Sequence, residues 1–279
     1  MGNINPLAGH FRQPAIYLKL PSTGRYWPEG SIDLPLTGEI PVYPMTSKDE
    51  VTLKTPDALL NGQGVVDVIQ SCCPSIKDAW QMPNTESDAV LIAIRLASYG
   101  NEMGVDSKCP HCNHDNSHAI DLNIVLDRVR FPNYDRIIEA GGLKFKLKPH
   151  NYYTANKANL LAFEEQKIME NLLIEGLEEE QRLSEFNHRI KNLNTLNIDM
   201  IVGFTDYIEI PTGEKVRDEA FIKEFYDNAD NKIIKVLQAA VQEINGESEL
   251  PTLKISCEGC EKEYDLKIEF DHSRFFGNS

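Results

Sequence analysis

Two cysteine pairs of identical spacing, far apart in the chain, restrict its fold more than any other feature. "SKCPHCNHDN" carries Cys109 and Cys112, and "ISCEGCEKEY" carries Cys257 and Cys260, 145 residues after Cys112. Each pair follows a short strand-like stretch ("VDSK", "TLKIS") and precedes an alternating apolar run ("AIDLNIVL", "YDLKIEF"). Strand, C-x-x-C turn, strand is a zinc knuckle, and two knuckles facing each other make a ribbon-type tetrahedral site. The expectation is one zinc ion on Cys109, Cys112, Cys257 and Cys260. Four thiolates leave no open position for water or substrate, so the ion is structural. Iron takes the same four ligands and stays open as the alternative.

Other readings of these cysteines fit less well. A thioredoxin-like redox motif needs one C-x-x-C opening a helix, whereas neither pair here precedes a helical pattern. Disulfides belong to secreted chains, and Met1 is not followed by a basic and then an apolar stretch. His111, His114 and His118 lie beside the first pair; with four cysteines completing the shell, they are expected to be exposed turn residues. Cys72 and Cys73 are adjacent, so they point to different faces of a helix and are expected to be small buried hydrophobes.

Charge narrows the partners. The 279 residues hold 43 acidic and 28 basic side chains, a formal charge of −15. A nucleic-acid binder needs a cationic footprint, so no nucleic-acid partner is expected. No apolar run approaches bilayer length, so no membrane partner is expected either.

The remaining pattern predicts an α+β chain. Its zinc-ribbon hairpins are closed by the two distant knuckles, with helices before and between them and an extended arm in front. Residues 1–48 form a Pro-rich arm: seven prolines break every helix, leaving "AIYLKL", "SIDL" and "EIPVY" as short strands. Phe11, Tyr17, Tyr26 and Trp27 are spread through it, suited to lie on the chain's own core or on a neighbouring subunit. Residues 49–103 read as helical. Ser47 with Glu50 is taken as a capping box, "TPDALLNG" as a helix from Pro56 to an Asn61-Gly62 cap, and "NTESDAVLIAIRLASYG" as a largely buried helix capped by Thr85 or Ser87. Residues 104–149 with 250–279 make the ribbon module. Residues 150–249 are an acidic helical insert, whose stripe (Leu160, Leu161, Ile168, Leu172, Leu173, Leu177, Leu183, Phe186, Ile190, Leu193) reads as a core face, with a hinge near Leu193–Asn197 and a helix stopped by Gly246.

Catalytic motifs are missing: no G-x-S-x-G, P-loop, G-x-G-x-x-G after a strand, or H-E-x-x-H. Asp78, Glu86 and Asp88 gather around a helix start, where acids serve capping and the helix dipole.

"NPLAGHFRQPAIYLKLPSTGRYW", "GEIPVYPMTSKDEVTLKTPDALLNGQGVVDVIQSCCPSIKD", "DAVLIAIRLASYG" and "KCPHC" together resemble the baseplate hub-type proteins of T4-like contractile-tailed bacteriophages. The resemblance covers about residues 5–125, and the arm with "TPDALLNG" is its distinctive part. It implies a non-enzymatic virion component of the tail baseplate, assembled in the host cytoplasm and contacting other baseplate and tail subunits. The alternatives are an assembly chaperone that leaves before the particle matures and a peptidoglycan-degrading hub enzyme.

Overall fold

The computed structural model describes residues 6–55, 62–172, 179–250, 252–268 and 275–276. The helix expected from Pro56 to Asn61, and Leu173 and Leu177 of the stripe, lie outside the described residues. The chain is α+β and divides into two units. One comprises Met1–Met82, Glu86–Phe131 and Glu249–Ser279; the other comprises Pro83–Thr85 and Pro132–Ser248.

In the first unit, β1 (Ile16–Lys19) and β2 (Glu39–Val42) pair antiparallel, with Leu18 opposite Ile40. Alternation turns Leu18, Ile40 and Val42 inward and leaves Tyr17 in solvent. Residues of the Pro-rich segment therefore lie on the chain's own core. Helix α1 (Ser47–Leu53) opens with a capping box made by Thr46 and Asp49, one residue earlier than the Ser47–Glu50 pair expected. Both pairs satisfy the sequence rule, but Asp49 also faces Arg12 at 3.2 Å. That guanidinium donates further to the carbonyls of Pro44 (2.7 Å) and Ser71 (2.7 Å), fastening the start of the chain to two later segments.

Helices α2 (Gln63–Cys72) and α3 (Ser87–Tyr99) form the centre of this unit. Every residue from Ala89 to Ile94 is buried, so α3 is enclosed nearly all round. Each fully buried Val, Leu or Ile contributes roughly 1.5–3 kcal/mol of transfer free energy. Cys72 and Cys73 are buried here as small hydrophobes. Gly100, at φ 87°, ends α3 where only glycine adopts the turn freely. Two hairpins complete the unit: β3 (Glu102–Lys108) with β4 (Asp115–Asp121), and β9 (Leu253–Ser256) with β10 (Glu263–Leu266). Helix α4 (Leu122–Arg128) follows the first hairpin, capped by Asp121.

The second unit holds a four-stranded antiparallel sheet, β5 (Ile137–Ala140), β6 (Leu143–Leu147), β7 (Thr205–Glu209) and β8 (Lys215–Val216), ordered as in sequence. Gly141 and Gly142, both at positive φ, make the two-residue turn between β5 and β6. Helices α7 (Glu219–Asn228) and α8 (Asn231–Ser248) cover the sheet around Phe145, Ile208, Ile222, Tyr226 and Leu237. Gly246 does not stop α8, which continues to Ser248.

Two long helices, α5 (Tyr152–Leu172) and α6 (Glu179–Phe204), lie between β6 and β7 in sequence. No hinge interrupts α6 at Leu193–Asn197. Its polar residues find partners without breaking the helix: Asn192 donates to Glu165 at 3.0 Å and Thr195 to the Lys191 carbonyl at 3.1 Å. The apolar stripe is not a core face over its whole length, because Leu161, Leu183, Phe186 and Ile190 are exposed.

Candidate metal centre

The two hairpins turn in the same way. Between β3 and β4, the Cys109 N–H donates to the His114 carbonyl (2.9 Å) and the Asn113 N–H to the Cys109 carbonyl (2.9 Å). Between β9 and β10, Cys257 donates to Lys262 (3.0 Å) and Glu261 to Cys257 (2.9 Å). Asn113 and Glu261 both sit at φ 60°, the left-handed position that closes each reversal. Asparagine adopts it readily, whereas glutamate does so at a cost of about 1 kcal/mol. Each turn also aims an amide at its first sulfur, His111 N–H at Cys109 (3.4 Å) and Gly259 N–H at Cys257 (3.3 Å). Such donors stabilise thiolate over thiol.

The four sulfurs converge within 4.8 Å of one another. Cys109 and Cys260 are 3.8 Å apart, and Cys112 and Cys257 are 3.6 Å apart. A tetrahedral shell with metal–sulfur bonds of about 2.3 Å spaces its sulfurs about 3.8 Å apart, so the donor set fits a metal ion of that size. The six cysteines are free thiols, and the site is not a pair of disulfides. Burial opposes ionisation of Cys257, but the N–H groups of Cys260 and Gly259 and the neighbouring sulfurs outweigh it and bring the thiol to about 6. At Cys112 the His114 backbone pulls the pKa down, yet desolvation and three adjacent sulfurs together push it up. Four sulfurs this close do not all ionise without a cation among them.

Side chains outside the shell hold the hairpins together. Buried Asn116 donates to the His114 carbonyl (3.0 Å) and accepts the Glu258 N–H (2.8 Å), linking one knuckle to the other. The Ser107 and Tyr264 hydroxyls meet at 2.6 Å. Gly259 admits the His114 ring, since a Cβ there would lie 2.8 Å from its Cγ. None of Asn116, Ser107, Tyr264 or Gly259 was singled out by the sequence, because polar bracing across 142 or 157 residues has no local signature. The four-sulfur group includes no histidine among the described residues; His111 and His114 are exposed and His118 lies half-buried on β4.

The four aromatic residues of the N-terminal segment divide into two kinds. Phe11 and Tyr17 are 58% and 65% exposed. Tyr26 stacks on Phe131 with ring centroids 5.7 Å apart, and the Trp27 indole N–H donates to Glu86 at 2.6 Å. Glu86 also accepts the Ser22 N–H at 2.6 Å and caps no helix with its side chain, contrary to its expected role in the first turn of α3; neither Thr85 nor Ser87 is the N-cap. Burial raises the Glu86 pKa, while its bonds from Ser22 and Trp27 oppose that rise. Asp78 does cap, accepting the Trp80 N–H at 3.0 Å.

The family model described as T4 bacteriophage base plate protein matches residues 16–277. Comparison with curated proteins and with solved structures gives no match.

Proposed function

Because the chain belongs to the T4 bacteriophage base plate protein family, we propose that it is a non-enzymatic component of the contractile-tail baseplate, in the hub or at the connection between hub and wedge, held in shape by one structural zinc ion. The match across nearly the whole chain carries the role. The convergence of Cys109, Cys112, Cys257 and Cys260 supports the metal. A closed four-thiolate shell offers no site for Lewis-acid chemistry on a substrate; when bound, the ion supplies cross-linking alone. It ties a hairpin at residues 102–121 to another at 253–266, so closing the site constrains everything in between.

An enzymatic hub would need a carboxyl group with a raised pKa free to reach a glycosidic oxygen. Burial raises the pKa of both Glu86 and Asp88; both oxygens of Glu86 accept bonds from within the chain, and Asp88 sits in the first turn of α3. The net charge of −15 opposes a nucleic-acid role. No helix among the described residues is long and apolar enough to cross a membrane. Partners are other baseplate and tail subunits, joined in the host cytoplasm.

Quantitative mass spectrometry of purified particles tests this role. The chain is expected at fixed stoichiometry with the other baseplate proteins. Its absence from mature particles, with presence in assembly intermediates, would make it an assembly chaperone instead. Cleared zones on a peptidoglycan overlay would contradict the non-enzymatic reading.

A further inference from the structure

Arg95 follows directly on the buried run Ala89–Ile94 of α3 and is itself only 3% exposed. A guanidinium withdrawn from water is tolerated where its N–H groups and its flat faces are met. Its Nη1 donates to the backbone carbonyl of Phe275, 180 residues along the chain. Arg95 Cζ also lies 5.2 Å from the centroid of the Phe275 ring and 5.4 Å from that of Tyr99. Tyr99 is four residues on, one turn along the same face of α3. Its hydroxyl donates to Glu50 of α1 at 3.1 Å, which fixes the ring. The Arg95 and Tyr99 side of the contact is therefore set by α1 and α3.

Phe275 brings Phe276 with it. Both are buried, and their rings meet edge-on, with centroids 4.9 Å apart and planes at 82°. Two adjacent residues that bury both rings and hand a carbonyl to a buried cation have the features of a peptide ligand. The rings are anchors, and the carbonyl sets the register. None of the four clustered cysteines takes part in these contacts. We infer that Arg95 and Tyr99 form a binding socket for a Phe-Phe peptide segment, filled by the chain's own Phe275 and Phe276. The guanidinium supplies the recognition, because an aromatic segment offers it a ring face and a carbonyl while an aliphatic one offers only the carbonyl. Carried in cis, the segment acts at an effective concentration on the order of millimolar, so the socket stays filled without tight intrinsic binding. The segment after β10 is thereby fastened to the helix that precedes β3, a closure that does not pass through the cysteines.

The test uses the full-length chain, its combined Phe275→Ala and Phe276→Ala variant, and two synthetic peptides. One peptide has the sequence of residues 272–279; the other has alanine in place of both phenylalanines. By calorimetry, the double variant is expected to bind the first peptide roughly tenfold or more tighter than the parent, whose socket is already filled. The alanine peptide is expected to bind neither protein, and adding Arg95→Met to the double variant is expected to abolish binding. No binding to the double variant, equal binding of the two peptides, or binding that survives Arg95→Met overturns the proposal. Limited chymotrypsin digestion decides the matter even if the double variant does not fold, since it needs only the parent and Arg95→Lys. That change keeps the charge and gives up the planar fork, so cleavage after Phe275 and Phe276 is expected to quicken roughly fivefold or more, with other sites unchanged. Unchanged protection overturns the proposal, and so does a uniform rise at every site, the mark of general loosening. Both readouts are taken on isolated protein and stand apart from the baseplate role.

Discussion

Glu86 and Trp27, 59 residues apart in sequence, are joined by a 2.6 Å hydrogen bond from the indole N–H to a buried carboxylate. The other carboxylate oxygen accepts the Ser22 N–H. One acidic side chain thus holds a segment in which Thr23 and Tyr26 both take positive φ, a conformation that side-chain-bearing residues adopt only under constraint. Glu86→Ala leaves two donors without their acceptor, at a cost on the order of 3 kcal/mol. A melting temperature lower by about 5–10 °C and a shift in Trp27 fluorescence are expected. An unchanged melting curve would show that the bond contributes nothing.

His150 is expected to make the stability of the second unit depend on pH. The ring is buried and meets Phe204 edge-on at 3.8 Å. Burial lowers its pKa from 6.5 to about 4, against a backbone hydrogen bond at Met200 that favours the cation. The folded state therefore binds fewer protons than the unfolded state between those values. Its stabilising effect is complete above pH 6.5 and is lost as pH falls towards about 4, by about 3 kcal/mol in all. Denaturant titrations from pH 7.5 to pH 4.5 should show this slope in the parent and a shallower one in His150→Gln. The same slope in both would rule His150 out as its source.

Gly203 lies against that ring. Alanine for glycine in a helix ordinarily stabilises by up to about 1 kcal/mol. Here a Cβ would lie 2.5 Å from His150 Cε1, so Gly203→Ala is expected to destabilise by about 1–3 kcal/mol. Adding His150→Ala should recover much of that loss, measured as a double-mutant cycle. Strictly additive effects would refute the contact.

How far the sequence alone reached depends on how local each feature is. A knuckle is made within six residues, so spacing and flanking strands suffice to place Cys109, Cys112, Cys257 and Cys260 on matching turns. Burial of α3 follows from its unbroken apolar run. The capping box slipped by one residue because Asp49 is singled out by Arg12, 37 residues away. Glu86 reads locally as a helix-start acid for the same reason: Ser22 and Trp27 are remote. The stripe on α6 has core periodicity, but periodicity reports that a face is apolar and not what covers it.

Phe11 and Tyr17 offer a direct probe of assembly, since Tyr26 and Trp27 are engaged within the chain. Phe11→Ser with Tyr17→Ser changes exposed rings only, so stability should move by no more than about 0.5 kcal/mol. Incorporation into baseplates, scored by complementation of a phage lacking the parent gene, is expected to fall. Normal incorporation would exclude these rings as subunit contacts.

We propose that one metal ion closes the site formed by Cys109, Cys112, Cys257 and Cys260 on the two hairpins. Elemental analysis of the purified chain measures it most directly. About one zinc per chain is expected, retained when Cys72 and Cys73 are replaced by serine and falling towards zero in Cys257→Ser, with a loss of folding free energy on the order of 10 kcal/mol in the metal-free protein. Stoichiometric zinc in Cys257→Ser, or no bound metal in the parent, would overturn the four-cysteine assignment.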